Sequence, residues 1–210
     1  MVSTGMERGL NAFRTWVACF VLLFLGATGC ATLQIDYARS PSYALKNPEA
    51  TNLGKRFAPE MAENHGKSGF YILSSGMDAF MARALLTEAA ERTLDIQYYI
   101  IRDDLTTGFL VERLIRAAER GVRVRVLVDD IGAGIKDFKV ALFDAHPNIE
   151  VRLFNPFAER QSSLFRFFEF LGSFDRVNRR MHNKMFVADN QAAIVGGEIS
   201  AMNTSRPGAM

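Results

Sequence analysis

His182, Lys184 and Asp189 stand in the spacing H-x-K-x4-D inside the run "RMHNKMFVAD", and a glycine pair, Gly196 and Gly197, follows closely. An imidazole can act as a nucleophile or carry a proton near neutral pH. An ammonium is a compact point charge suited to phosphate oxygens. Phosphoryl transfer asks mainly for positioning and for neutralisation of charge on the equatorial oxygens, and such a pair supplies both. The run reads as a strand, on which residues two apart point the same way. His182 and Lys184 therefore share one face, Met181, Asn183 and Met185 take the other, and Asp189 falls at the strand's end. The chemistry needs no metal, no metal-binding spacing is visible in the sequence, and no cofactor is expected.

These side chains need a scaffold, and the sequence upstream spells one out. "MDAFMARALLTEAAERT" places Met77, Phe80, Met81, Ala84, Leu85 and Ala89 on one helical stripe, with Ser74 or Ser75 available as a cap. "LDIQYYII" reads as a strand. "TTGFLVERLIRAAERG" reads as a second amphipathic helix that Gly121 stops. In "VRVRVLVDD" strict alternation puts Val122, Val124, Val126 and Val128 on one face of a strand. A short helix over 136–145, a strand at "IEVRLF", an apolar helix at "SLFRFFEFLGSF" and a closing hairpin of "MHNKMFVAD" with "AAIVGG" complete the pattern. Strands alternating with helices predict an α/β fold, a sheet with helices on both faces.

The chain has 210 residues, 49% of them hydrophobic and 23% charged, with a net charge of +2. That suits one domain of ordinary size with appendages, and it excludes a polyelectrolyte binder, so any attraction for anions must be local. Arg8 and Arg14, an apolar run from Trp16 to Leu25 and "GATGC" ending at Cys30 form a different regime. The run is shorter than the roughly 20 residues a bilayer span needs, and it fits the core of a secretory signal. Small residues leading into Cys30 resemble the lipobox of bacterial lipoproteins, although Ala27 stands where Leu is usual. The resemblance implies a signal over 1–29 and an acylated Cys30 that holds the chain at a membrane. Cys19 would leave with the signal, so no thiol would remain for a disulfide or a metal. Ala31 rather than Asp after the cysteine points to the periplasmic face of the outer membrane. Residues 31–67, with Pro41, Pro48 and Pro59, show little periodicity and read as a tether, so that 30–67 forms an extension before a domain over 68–197.

"HNKMFVAD" followed by the glycine pair resembles the HKD motif of the phospholipase D superfamily. "LDIQYYIIRDDLTTGFLVERLIRAAERGVRVRVLVDD" and "FRFFEFLGSFDRVNRRMHNKMFVADNQAAIVGG" resemble the first half of its bacterial cardiolipin synthase-like branch, a likeness that covers about 74–197. The resemblance implies a mixed β-sheet in a single phospholipase D-type lobe. It makes His182 the catalytic histidine, as covalent nucleophile or leaving-group acid, Lys184 the phosphate-binding lysine, and Asp189 a support for the site. One histidine attacks the phosphodiester, a second protonates the leaving alcohol, and water or another alcohol then releases the phosphatidyl group. A phosphatidylglycerol-like lipid would be the substrate.

The family's chemistry needs two histidines across the phosphate, and this chain carries one motif. The missing partner would be a second HKD lobe or another copy in a homodimer. The related pattern continues approximately as GGxNIGDEYF, whereas "GGEISAMNTSRPGAM" puts Ile199 where its phosphate-binding asparagine should be. Deleting one base from codons for E-N-I-G-D-E-Y-F spells E-I-S-A-M-N-T-S, the residues from Glu198 to Ser205. The expectation is a frame-shifted tail over 198–210 and a truncated chain, poorly soluble and inactive alone. Two other functions stay open. The chain could be a homodimeric single-motif phosphodiesterase or endonuclease, with nucleic acid as partner, or a non-catalytic interaction module.

Remaining residues carry weaker signals. Arg176, Arg179 and Arg180 could attract anionic head groups or lie in a solvated loop. Phe165, Phe167, Phe168, Phe170 and Phe174 could line an acyl-chain groove or pack a core. Asp129 and Asp130 could hold a metal or cap a loop. His65 and His146 read as ordinary surface residues.

Overall fold

In the computed structural model, residues 13–17, 41–130, 137–157, 167, 171–172 and 174–197 are described below. The chain divides into two compact units, Met1–Arg39 and Ser40–Met210. In the first, residues 13–17 are helical and Phe13 and Trp16 are exposed. Cys30 and most of the expected signal lie outside the described residues. Among those residues no helix is long and apolar enough to cross a membrane.

The second unit is built on one mixed sheet in the order β3-β2-β1-β4-β5. Strands β1 (Thr93–Tyr98), β2 (Arg123–Asp129) and β3 (Ile149–Phe154) are parallel, β4 (Lys184–Ala188) runs antiparallel to β1, and β5 (Ala192–Val195) antiparallel to β4. The α/β class and the closing hairpin follow the sequence pattern. Register explains the core: Leu94, Ile96 and Tyr98 pair with Val124, Val126 and Val128, and Val124, Val126 and Val128 pair with Ile149, Val151 and Leu153. On the other flank Ile96 pairs with Phe186 and Leu94 with Ala188. Paired residues point the same way, so one face of the sheet is almost wholly apolar.

Helix α2 (Gly76–Ala89) and helix α3 (Leu105–Glu119), which joins β1 to β2, cover that face with the shorter α4 (Asp137–Asp144). α3 has the amphipathic period its sequence promises, burying Leu110, Leu114, Ala117 and Ala118. Each fully buried leucine contributes about 2 kcal/mol of transfer free energy. Asp104 caps its amino end by accepting from the Thr107 amide at 2.8 Å, and Gly121 ends it at φ +94°. α2 differs from expectation. Ser75 caps it, but its inward face is Phe80, Arg83, Ala84 and Thr87, while Met77, Met81 and Leu85 are exposed. Two polar side chains take inward places that the apolar stripe was expected to fill, because both find partners there: Thr87 donates to the Arg83 carbonyl, and Arg83 bonds as described below.

Within the stretch read as a tether, Asn52–Glu63 forms helix α1. Thr51 caps it, Leu53 joins the core, and Asn52 is held by the Glu91 carboxylate through both its amide and its side chain. Gly54 is required there, since a Cβ would lie 2.5 Å from the Pro48 carbonyl. On the sheet's opposite face Asp95, Arg125 and Glu150 are register neighbours across three strands. The hydrogen bond from Arg125 to Asp95 holds the guanidinium's pKa above its ordinary value, with the charges of Asp95 and Glu150 adding to it. Arg125 also reaches Ser42. The apolar helix expected at 163–174 falls largely outside the described residues.

Candidate active site

β1, β2 and β3 all end at one edge of the sheet, and β4 begins there, because Tyr98 pairs with Lys184. In open α/β sheets ligands sit outside the carboxyl ends of parallel strands. His182 lies two residues before β4 and is exposed; Lys184 is half-buried. The Lys184 Nζ stands 3.0 Å from His182 Nε2. An ammonium can only donate, so the contact suits the imidazole tautomer that carries its proton on Nδ1 and turns a lone pair to the cation. Tyr99, just past β1, sets its ring edge-on to the imidazole with centroids 4.9 Å apart. Asn183 points the other way, donating to Gln97 Oε1 at 2.8 Å.

Asp189 sits at the opposite edge and is fully buried. Its carboxylate accepts three amides at the start of β1: Glu91 at 2.9 Å, Arg92 at 2.8 Å and Thr93 at 2.9 Å. Its own amide donates to the Thr93 carbonyl at 2.8 Å. Asp189 and Asn190 both have positive φ, 48° and 54°, in the tight turn that reverses the chain into β5. The structure therefore brings His182 and Lys184 together and holds Asp189 a strand's length away, where it fixes β4 against β1.

A second clamp holds the active edge. Arg83 is buried, donating from Nε to the Tyr98 hydroxyl at 2.7 Å, from Nη1 to the Ala79 carbonyl at 2.9 Å and from Nη2 to the Gly196 carbonyl at 3.2 Å. The Gly196 amide in turn donates to the Lys184 carbonyl at 2.8 Å. The glycine pair turns at φ +85° and +66°, and a Cβ on Gly197 would meet Arg83 Nη2 at 3.4 Å. Burial raises the Tyr98 pKa above 10.0, against the lowering pull of Arg83. Arg83 and Tyr99 escaped the sequence reading. An arginine inside an apolar helix and a tyrosine pair ending a strand were the available signals.

Asp129 and Asp130 bind backbone. Asp129 accepts the Met181 amide at 2.9 Å and lies 3.4 Å from Arg180 Nη1; Asp130 accepts the Phe157 amide at 2.8 Å. Among the described residues no group of three potential ligands could hold a metal ion. Arg176 donates to Asn155 Oδ1 and the Pro156 carbonyl, Arg180 is largely buried beside Phe157, and Arg179 is exposed. These contacts fix the approach of the chain to His182. Of the other histidines, His146 accepts the Asn148 amide before β3, at the edge opposite His182, and His65 is exposed.

An imidazole and an ammonium at the open edge of a mixed sheet, with the motif's aspartate buried at the opposite edge, define a phospholipase D superfamily protein. The family described as Cardiolipin synthase, PLD-like domain matches residues 83–206, and the chain belongs to it. Among relatives, Cardiolipin synthase C of Escherichia coli (strain K12) is 46% identical over 145 residues, covering 69% of this chain and 30% of the relative. An uncharacterized protein of Helicobacter pylori (strain ATCC 700392 / 26695) is 37% identical over 179 residues, covering 84% and 36%. The chain thus spans about a third of the length of these relatives. Among solved structures, NucT from Helicobacter pylori matches with a TM-score of 0.39 at 16% identity, covering 58% of this chain and 66% of that one.

Proposed function

We propose that the chain is one lobe of a phosphatidyl-transferring phosphodiesterase acting on a phosphatidylglycerol-like lipid. The observation that carries this reading is the 3.0 Å approach of Lys184 Nζ to His182 Nε2 at an open sheet edge. His182 Nε2 attacks phosphorus, the bond to the head-group oxygen breaks, and a phosphohistidine forms. Lys184 neutralises charge on the phosphoryl oxygens during the attack. A second histidine, from another HKD lobe or another copy of the chain, protonates the leaving alkoxide. Water or the hydroxyl of a second lipid then attacks phosphorus and returns the imidazole. Acylation of Cys30 holds the lobe at the periplasmic face of the outer membrane.

A leaving group that departs without a proton isolates the first step from the second histidine. Phosphatidyl-p-nitrophenol should give a burst of nitrophenolate equal to the protein present and an acid-labile phosphoprotein. His182→Asn should give neither. A burst only with a nucleotide p-nitrophenyl diester would favour the endonuclease reading, and no burst with either would overturn the enzyme reading.

A further inference from the structure

Phe70, Tyr71 and Ile72, between α1 and α2, are 91%, 88% and 85% exposed. Three consecutive side chains cannot share one face of any regular backbone. Their joint exposure therefore means that the segment stands clear of the domain on every side, and a flat protein partner would cover only part of it. The segment leaves α1 through a turn closed by the Lys67 amide bonded to the Asn64 carbonyl at 3.0 Å, and Leu73 packs against the core at its other end. Its place follows from Arg83, whose guanidinium bonds both the Ala79 carbonyl in α2 and the Gly196 carbonyl beside Lys184. The first turn of α2 is thus level with the active edge, and the segment leads into α2 at that edge. From Asn64 to Met77 there is no acidic residue, while Lys67 supplies a cation and Met77, exposed at the start of α2, extends the apolar surface.

We infer that residues 70–72 insert into the head-group region of a bilayer containing anionic lipid and bring the His182–Lys184 edge to the membrane surface. Two aromatic rings and an isoleucine flanked by a cation suit that boundary, where rings settle at head-group depth and a lysine meets anionic phosphates. This deepens the lipid reading above, but its test does not use turnover. Trp16 is the one tryptophan of the chain. In the full chain carrying Trp16→Phe and Tyr71→Trp, the indole should shift its emission to shorter wavelength on vesicles of phosphatidylethanolamine and phosphatidylglycerol. Lipids with brominated acyl chains should quench it. Adding Phe70→Ser and Ile72→Ser should abolish both signals without changing the melting temperature, whereas adding His182→Asn should change neither signal. Emission that stays at the water-exposed wavelength while the protein sediments with the vesicles overturns the inference. So does a blue shift that appears without vesicles and grows with protein concentration, which would seat a second copy there.

Discussion

At the scale of single residues, the two halves of the motif make different demands. His182 is exposed and Lys184 half-buried at an edge, and their side chains meet each other there. Lys184→Ala should remove the nitrophenolate burst by about 10³-fold or more while changing stability by no more than about 0.5 kcal/mol. Asp189 reverses both expectations. Asp189→Ala leaves three amides without their acceptor, at roughly 1–3 kcal/mol each, so thermal unfolding should show a loss of about 3 kcal/mol or more. Tyr98 makes a prediction in pH. Its pKa is raised by burial, so the folded protein holds the phenolic proton more tightly than the unfolded chain. The stability linked to that proton is complete below pH 10.0 and falls as pH rises beyond it. Of the five tyrosines, Tyr98 should ionise only as the protein unfolds in an alkaline absorbance titration, and Tyr98→Phe should remove that component.

At the scale of elements, α2 and the β4–β5 hairpin are joined by one guanidinium. Arg83→Met should strand the Tyr98 hydroxyl and the Gly196 carbonyl, lowering stability by about 2–4 kcal/mol. Amide exchange at Gly196, whose hydrogen bond closes on Lys184, should accelerate with it. This is also where sequence and structure part. The strands, α3 with its cap and stop, and the hairpin were legible because period, capping residues and glycine signals agreed. α2 was legible as a helix but not in its orientation, since apolarity alone cannot foresee that Arg83 and Thr87 will be satisfied inside. α1 was missed because Pro59 inside it reads as a break, and its packing rests on Leu53 and on a side-chain bond to Glu91, 39 residues away. The H-x-K pair needed only strand geometry. The partners of Asp129 were invisible because Met181 is 52 residues distant in the chain.

At the scale of the whole molecule, His182 is the histidine that the described residues bring beside Lys184 at the active edge. On the lipid reading proposed above, natural lipid, whose alkoxide needs a proton to leave, should turn over only where a second imidazole is supplied. With the chain alone, any release of glycerol from phosphatidylglycerol should rise with the square of protein concentration at low occupancy, since two copies must meet. Release that is first order in protein would show that one lobe does both proton transfers. The measurement is a dilution series of the purified chain on fixed vesicles.

The full burial of Asp189 at the far side of the sheet gives the motif's spacing a meaning apart from chemistry. From Lys184 to Asp189 the chain crosses the sheet once, so the four intervening residues are a ruler set by sheet width. An insertion there would leave every reactive group present and aim it at the wrong face, because a single-residue slip inverts a strand. Among similar sequences, one that kept the imidazole and ammonium but altered the count to the carboxylate would have to have rebuilt its scaffold.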